Sequence, residues 1–210
     1  MSDAPKRPSK GRGREALLVA AAQEFAEAGF RGASVSRIAR RTGVTQPLIN
    51  HHFGTKRGLW RAVLEWIFED VRAEYAGALN SELPLRRQVL EMARQTVYVF
   101  ARRPELARIV NTETNHPSEA FDELSSRYLE PVIALTQGVM HRAIEEGVLR
   151  PDADPRHLHF VIVGAAMQPF TEPEIARRAF GLEPFSEDFI ERHADNLCAM
   201  VEAGLLQEPD

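Results

Sequence analysis

Ser34 to Leu64 reads S-V-S-R-I-A-R-R-T-G-V-T-Q-P-L-I-N-H-H-F-G-T-K-R-G-L-W-R-A-V-L, and this stretch decides the fold. Two short apolar-periodic segments are joined by Thr42-Gly43-Val44. That link is short enough only for a tight helix-turn-helix, a unit whose second helix enters the major groove of DNA. Ser34 is placed to cap the first helix, and Val35, Ile38 and Ala39 fall at helical spacing on its inward face. Gly43 sits where a left-handed residue ends a helix, and Val44 plugs the corner. Thr45 is placed to cap the second helix, with Pro47 in its first turn, where a missing N–H does little harm. Ile49 and Phe53 then point inward, leaving Gln46, Pro47, Leu48, Asn50 and His51 outward. Amide and imidazole groups suit base edges and phosphates, and Pro47 and Leu48 suit a thymine methyl. A helical hairpin inside an ordinary all-α domain has the same pattern, so the turn alone leaves both readings open.

Charge separates them. The whole chain carries 26 Lys+Arg against 30 Asp+Glu, a net of −4 that by itself argues against nucleic acid. Residues 1–61 hold 12 basic and 4 acidic side chains, or +8; residues 62–210 hold 14 and 26, or −12. A basic head on an acidic body is the footprint of a molecule that docks one end on phosphates and keeps the other away. Met1 to Gly13 is rich in Lys, Arg, Pro, Ser and Gly and nearly without apolar side chains. Such a segment is expected to be a mobile arm, either reaching along a groove or adding only nonspecific attraction. It lacks the apolar core of a signal peptide.

From about Arg14 to Leu64 the residues resemble the DNA-binding domain of TetR-type transcriptional regulators. The pattern runs from Ala21-Ala22-x-x-Phe25-Ala26-x-x-Gly29-Phe30-x-Gly32, through Val35-x-x-Ile38-Ala39-x-x-x-Gly43-Val44, to His51-x-Phe53-x-x-Lys56-x-x-Leu59. The resemblance implies that Ser34 and Ser36, with Arg37 beside them, meet phosphates and sometimes a base. Thr45, Gln46, Pro47, Leu48, Asn50 and His51 take the recognition-helix positions, and Lys56 matches the lysine that grips a phosphate. Asn50 and His52 depart from the family pattern, where Tyr is frequent.

The implied fold class is all-α: a three-helix DNA-binding domain over residues 14–55, then a helical effector-binding and dimerisation domain over 56–210, about nine helices altogether. Length allows a body of about 150 residues with a real core. Helices are expected over residues 56–80, 85–102, 105–113 and 118–146, the last kinked or broken at Pro131, then over 155–168, a short segment to Ala179, and 186–205. His159, Phe160, Val163, Gly164 and Met167 share a face of the 155–168 helix. Phe189, Ile190, His193, Leu197, Met200 and Val201 share one of the last helix. By resemblance these two helices pair across a two-fold axis in a homodimer that reads a palindromic operator on double-stranded DNA. The same stripes would also serve to close the monomer's own core. The resemblance further implies a pocket for a small-molecule effector, with Trp66, Tyr98, Phe100, Phe121, Met140, Phe160 and Met167 as candidate walls. The polar run Asn111 to His116 is either part of that pocket or an exposed loop.

Cys198, the single cysteine, excludes an intrachain disulfide and suits a reducing cytoplasm; its flanks make it a structural thiol. No run reaches the ~20 apolar residues that span a bilayer. His51-His52 and His157-x-His159 lack a second ligand pair for a metal. No cofactor is expected, nor any catalytic group, since phosphate loop, nucleophile elbow and metal set are all missing. The family resemblance implies a ligand-released repressor. The alternative is a helical small-molecule or protein-interaction module whose basic head binds DNA only nonspecifically.

Overall fold

The computed structural model describes residues 10–80, 82–115 and 117–207. Among them the order is α1 (Lys10–Gly32), α2 (Val35–Thr42), α3 (Gln46–Phe53), α4 (Lys56–Ala78), α5 (Leu85–Arg102), α6 (Pro104–Asn115), α7 (Glu119–Leu124), a π-helical stretch (Ser125–Leu129), α8 (Glu130–Glu145), α9 (Pro155–Thr171), α10 (Pro173–Phe180) and α11 (Glu187–Leu205). The only β pairing among the described residues is a bridge between Leu149 and Leu206, which clips the end of the chain to the α8–α9 link. Residues 1–9 of the expected arm lie outside the described residues. Helix α1 begins at Lys10, so Lys10 to Gly13 belong to it rather than to the expected arm.

The head is built on α1, whose Leu18, Ala21, Ala22 and Phe25 are buried against Ile38 and Ala39 of α2 and Ile49 of α3. Leu59, Trp60 and Val63 of α4 are fully buried too. Trp60 meets Phe25 edge-on at 5.0 Å between ring centres. The first turns of α4 thus complete the head core, and the rest of the same helix enters the body: Ile67, Phe68 and Val71 are buried farther along it. One rigid rod belongs to both units, although a boundary at residue 55 places it wholly in the body. In the body α5 is central, packed by α4, α8, α9 and α11, while α6 lies against α1 of the head.

Two proline effects differ from expectation. Pro131 does not break its helix; the chain continues through Ser125–Leu129 as a π stretch directly before it. Proline has no N–H to donate and its ring crowds the carbonyl four residues back, and the wider π turn accommodates both. Pro169 is carried inside α9, which runs on to Thr171 before Pro173 opens α10.

Candidate nucleic-acid interface and effector cavity

The corner between α2 and α3 has the expected geometry. Gly43 adopts φ +67° and ψ 12°, a left-handed conformation that costs a Cβ-bearing residue energy. Ile38 and Ile49 are buried and Val44 packs against the core beneath the turn. Gln46, Pro47, Leu48, Asn50 and His51 are all exposed on α3. Ser34 and Thr45 occupy the cap positions with extended backbone, yet neither hydroxyl bonds to its own helix. The free N–H groups at both helix starts, and both hydroxyls, therefore remain able to bond anionic oxygens. Ser36 Oγ donates to Gln46 Oε1 at 2.8 Å, joining the phosphate-side and base-side groups across the turn.

Arg37 is engaged within the head, with the N–H groups of one terminal nitrogen left over. Its Nε donates to Glu24 Oε1 at 2.7 Å and its guanidinium reaches the Gly32 carbonyl at 2.7 Å. Glu24, 1% exposed, also accepts the Ser34 N–H at 2.8 Å. Burial opposes ionisation of this carboxyl, but the hydrogen bonds from Arg37 and Ser34 outweigh it and hold its pKa below the ordinary 4.5. Arg37 is thus a strut between α1 and α2. Lys56 is placed between roles: Nζ donates to the carbonyls of Arg31 and Ala33, both at 3.2 Å, and lies 4.9 Å from the Phe30 ring centre. An ammonium has three N–H donors, so one is left for a phosphate.

The head's charge is also partly spent inside the molecule. Arg41 pairs with Glu27 at 2.6 Å, Arg57 with Glu119 at 3.0 Å, and Arg61 with Glu123. The last two pairs tie the start of α4 to α7 across 62 residues of sequence, a distance at which periodicity gives no signal. A second tie runs from α6. Glu113, 3% exposed, accepts the Phe30 N–H on Oε1 at 2.5 Å and the Ser118 hydroxyl on Oε2 at 3.3 Å. It seats against Gly29, whose φ of +65° breaks α1; a Cβ there would stand 3.1 Å from Glu113 Oε1. The run expected as pocket or loop is therefore helical from Asn111 to Asn115, with Asn111 and Thr114 at the cavity wall and Glu113 under the head. His116 is outside the described residues.

Between α4, α5, α6, α7, α8 and α9 the body holds a cavity of about 400 Å³ whose mouth lies beside the exposed Asn111, Thr114 and Phe160. Phe100, Phe121, Met140, Phe160 and Met167 line it as expected. Trp66 and Tyr98 do not. The Arg103 guanidinium lies 3.6 Å over the Trp66 ring, and the Tyr98 hydroxyl donates to the Glu191 carboxylate of α11 at 2.8 Å. Size and helical face select aromatic residues, and these two are drawn away by charged partners on other helices. Tyr75, Thr96, Gln137 and His159 line the cavity in addition.

The apolar stripes read as a dimer face are mostly used within the monomer. His159, Val163 and Met167 line the cavity, and Leu197 and Val201 are buried. Phe160 stands at the cavity mouth, 74% exposed, and the apolar surface clear of the cavity on these helices is Val161 and Met200 on α9 and α11, with Ile175, Phe180, Leu182 and Phe185 around α10. Cys198 is half-buried beside the Leu90 carbonyl at 3.4 Å, and burial pushes its thiol pKa up, consistent with a structural role. Among the described residues no cluster of metal-ligating side chains forms, and no helix is long and apolar enough to cross a membrane.

Comparison with known proteins agrees with this geometry. Residues 17–63 match the family model of bacterial regulatory proteins of the tetR family, and residues 86–201 match that of the tetracyclin repressor-like C-terminal domain. The regulatory protein RaaS of Mycobacterium tuberculosis is 29% identical over 137 residues, which cover 65% of this chain and 59% of that protein. The transcriptional repressor KstR2 of Rhodococcus jostii is 27% identical over 146 residues, 67% of this chain and 70% of that one. Among solved structures, the ketosteroid regulator KstR2 of Mycobacterium tuberculosis superposes with a TM-score of 0.72 at 22% identity, covering 98% of this chain and 99% of its own. A putative transcriptional regulator, SCO4942 of Streptomyces coelicolor, gives 0.63 at 25% identity, covering 92% and 98%. With a left-handed glycine corner, an exposed α3, a body match spanning more than half the chain and a head match preceding it, this chain belongs to the TetR family of bacterial regulatory proteins.

Proposed function

We propose that the protein is a transcriptional repressor that binds a palindromic operator as a homodimer and is released by a small molecule held in the body cavity. The observation that carries this reading is an exposed α3 with hydrogen-bonding side chains on a head that is mechanically joined to a hollow body. Gln46, Pro47, Leu48, Asn50 and His51 meet base edges. Ser34, Ser36, Thr45 and the spare N–H of Lys56 hold the flanking phosphates. One such helix spans too few base pairs for useful specificity, whereas two set one turn of DNA apart read a palindrome. The exposed apolar residues of α9 and α11 supply the self-complementary surface that a two-fold pair needs.

The joints supply the linkage. Two of the elements that wall the cavity, α6 and α7, are docked on the head, through Glu113 at Phe30 and through Glu119 and Glu123 at Arg57 and Arg61. A ligand that fits the cavity better with these helices displaced moves the heads off their operator spacing. Only its differential affinity for the two arrangements drives the change.

A gel-shift with DNA flanking the protein's own gene, against random competitor, tests the reading. Lys56→Ala should weaken binding to all duplexes alike and flatten the salt dependence by about one ion. Gln46→Ala should instead alter sequence preference, by about 1–3 kcal/mol at one base pair. A protein that at low ionic strength prefers no duplex over the competitor does not have this function.

A further inference from the structure

The cavity also constrains the chemistry of what it holds. Among the described residues, none of the side chains lining it is Asp, Glu, Lys or Arg. Its one imidazole, His159, has its pKa pushed below the ordinary 6.5 by burial, so the wall carries no charge at neutral pH. A charged ligand group placed there loses its hydration, a cost of several kcal/mol, and meets no counter-charge in return.

The hydroxyls of the wall are already bonded within the protein. Thr96 donates its hydroxyl proton to the Met92 carbonyl at 2.8 Å. The Tyr75 hydroxyl, 2.7 Å from Thr96 Oγ1, therefore donates to Thr96. Thr136 donates to the Ile133 carbonyl at 3.0 Å, Ser125 to the Glu130 carboxylate at 2.9 Å, and Gln137 Nε2 to the Pro155 carbonyl at 2.8 Å. These protons are committed to the protein itself, so the hydroxyls offer a ligand oxygen lone pairs, while the Asn111 amide, the second amide proton of Gln137 and the neutral His159 ring are the groups that can still donate. An oxyanion needs several converging N–H or O–H donors, and an ammonium needs a carboxylate. This wall offers no cationic donor and no carboxylate, only neutral amide and imidazole N–H groups. A neutral molecule with an apolar body and a hydroxyl or two satisfies the lone pairs and fills the rest.

We infer that the effector held here is an uncharged, largely apolar molecule bearing one or two hydroxyl groups, of a size to fill about 400 Å³, and that a carboxylate, phosphate or ammonium in the same place binds more weakly for want of a counter-charge. The inference rests on the reading of the cavity as the effector site, and the experiment separates the two. Calorimetry on the full chain is run with dodecanol, dodecanoate, dodecylammonium and dodecanoyl-coenzyme A, which share one apolar chain and differ in head group. Dodecanol is expected to bind most tightly, with dodecanoate and dodecylammonium weaker by at least about tenfold. Filling the cavity with Ala93→Phe, or with Thr136→Trp should the first variant not fold, is expected to abolish that binding. Tighter binding of dodecanoate, dodecylammonium or the thioester, lost in the filled variants, overturns the ligand class and leaves the effector site standing. Binding that survives in both filled variants, or no binding of any probe, overturns the effector site itself.

Discussion

Glu24 shows how much of the head turns on single atoms. Its carboxylate collects the side chain of Arg37 and the backbone N–H of Ser34, so that α1 fixes both the start and the flank of α2. Glu24→Gln should cost about 2–3 kcal/mol, the range for hydrogen bonds to a buried charged group. Since its folded pKa is lowered, the stabilisation is complete above the unfolded value of 4.5 and is lost as pH falls through the folded one. Thermal melts of the native protein and Glu24→Gln should accordingly converge in acid and stand farthest apart near neutrality; a constant gap across pH would refute the assignment. Sequence reading placed Arg37 among the phosphate contacts because it stands beside Ser34 and Ser36. Its partner is on a different helix, and only the packing of α1 on α2 makes the pairing visible.

At the level of elements, α6 does two things at once, and its sequence shows only one. Its apolar residues Leu106, Ala107 and Ile109 fall at helical spacing and are buried, as the pattern requires. Glu113 is buried as well, against the usual preference of a carboxylate for solvent, because the break in α1 at Gly29 frees the Phe30 N–H that it accepts. Glu113→Ala should leave that N–H without a partner and speed hydrogen exchange at the Phe30 amide, by the equivalent of about 1–2 kcal/mol of protection. Glu113→Gln keeps an acceptor oxygen and should stay close to the native rate. Equal exchange in all three proteins would mean that α6 does not hold the head in this way. The π stretch before Pro131 belongs to the same scale. Proline was legible in the sequence, but the response of the helix to it was a matter of backbone accommodation rather than of residue type.

For the whole molecule, the proposed two-fold pairing needs an exposed apolar surface. The stripes read from the sequence are largely consumed by the cavity and the core, which leaves Val161 and Met200 as the exposed apolar positions of α9 and α11 outside the cavity wall. Val161→Glu and Met200→Glu should each weaken self-association by at least about tenfold, by burying a carboxylate in the joint face. Sedimentation should then show monomers with unchanged helical circular dichroism, and operator binding should fall with the loss of the second recognition helix. If both variants remain dimers with native operator affinity, the two-fold contact lies elsewhere, with the apolar residues around α10 as the remaining patch.

Local pattern was enough to determine the all-α class, the helix-turn-helix and the outward set on α3. Gly43, Val44 and Pro47 act within a few residues of themselves, and helical periodicity separates Ile49 from Gln46 without any knowledge of the rest. Five of the seven expected wall residues follow for the same reason, since a large apolar side chain on an inward face has few other places to go. What the sequence could not supply were the contacts between elements far apart in the chain: Arg37 on Glu24, Arg57 and Arg61 on α7, Glu113 under Gly29, and Trp66 and Tyr98 drawn off by Arg103 and Glu191. Pairings of this kind depend on which helix faces which, a choice settled by the packing of the entire core, and one-dimensional spacing carries no record of it.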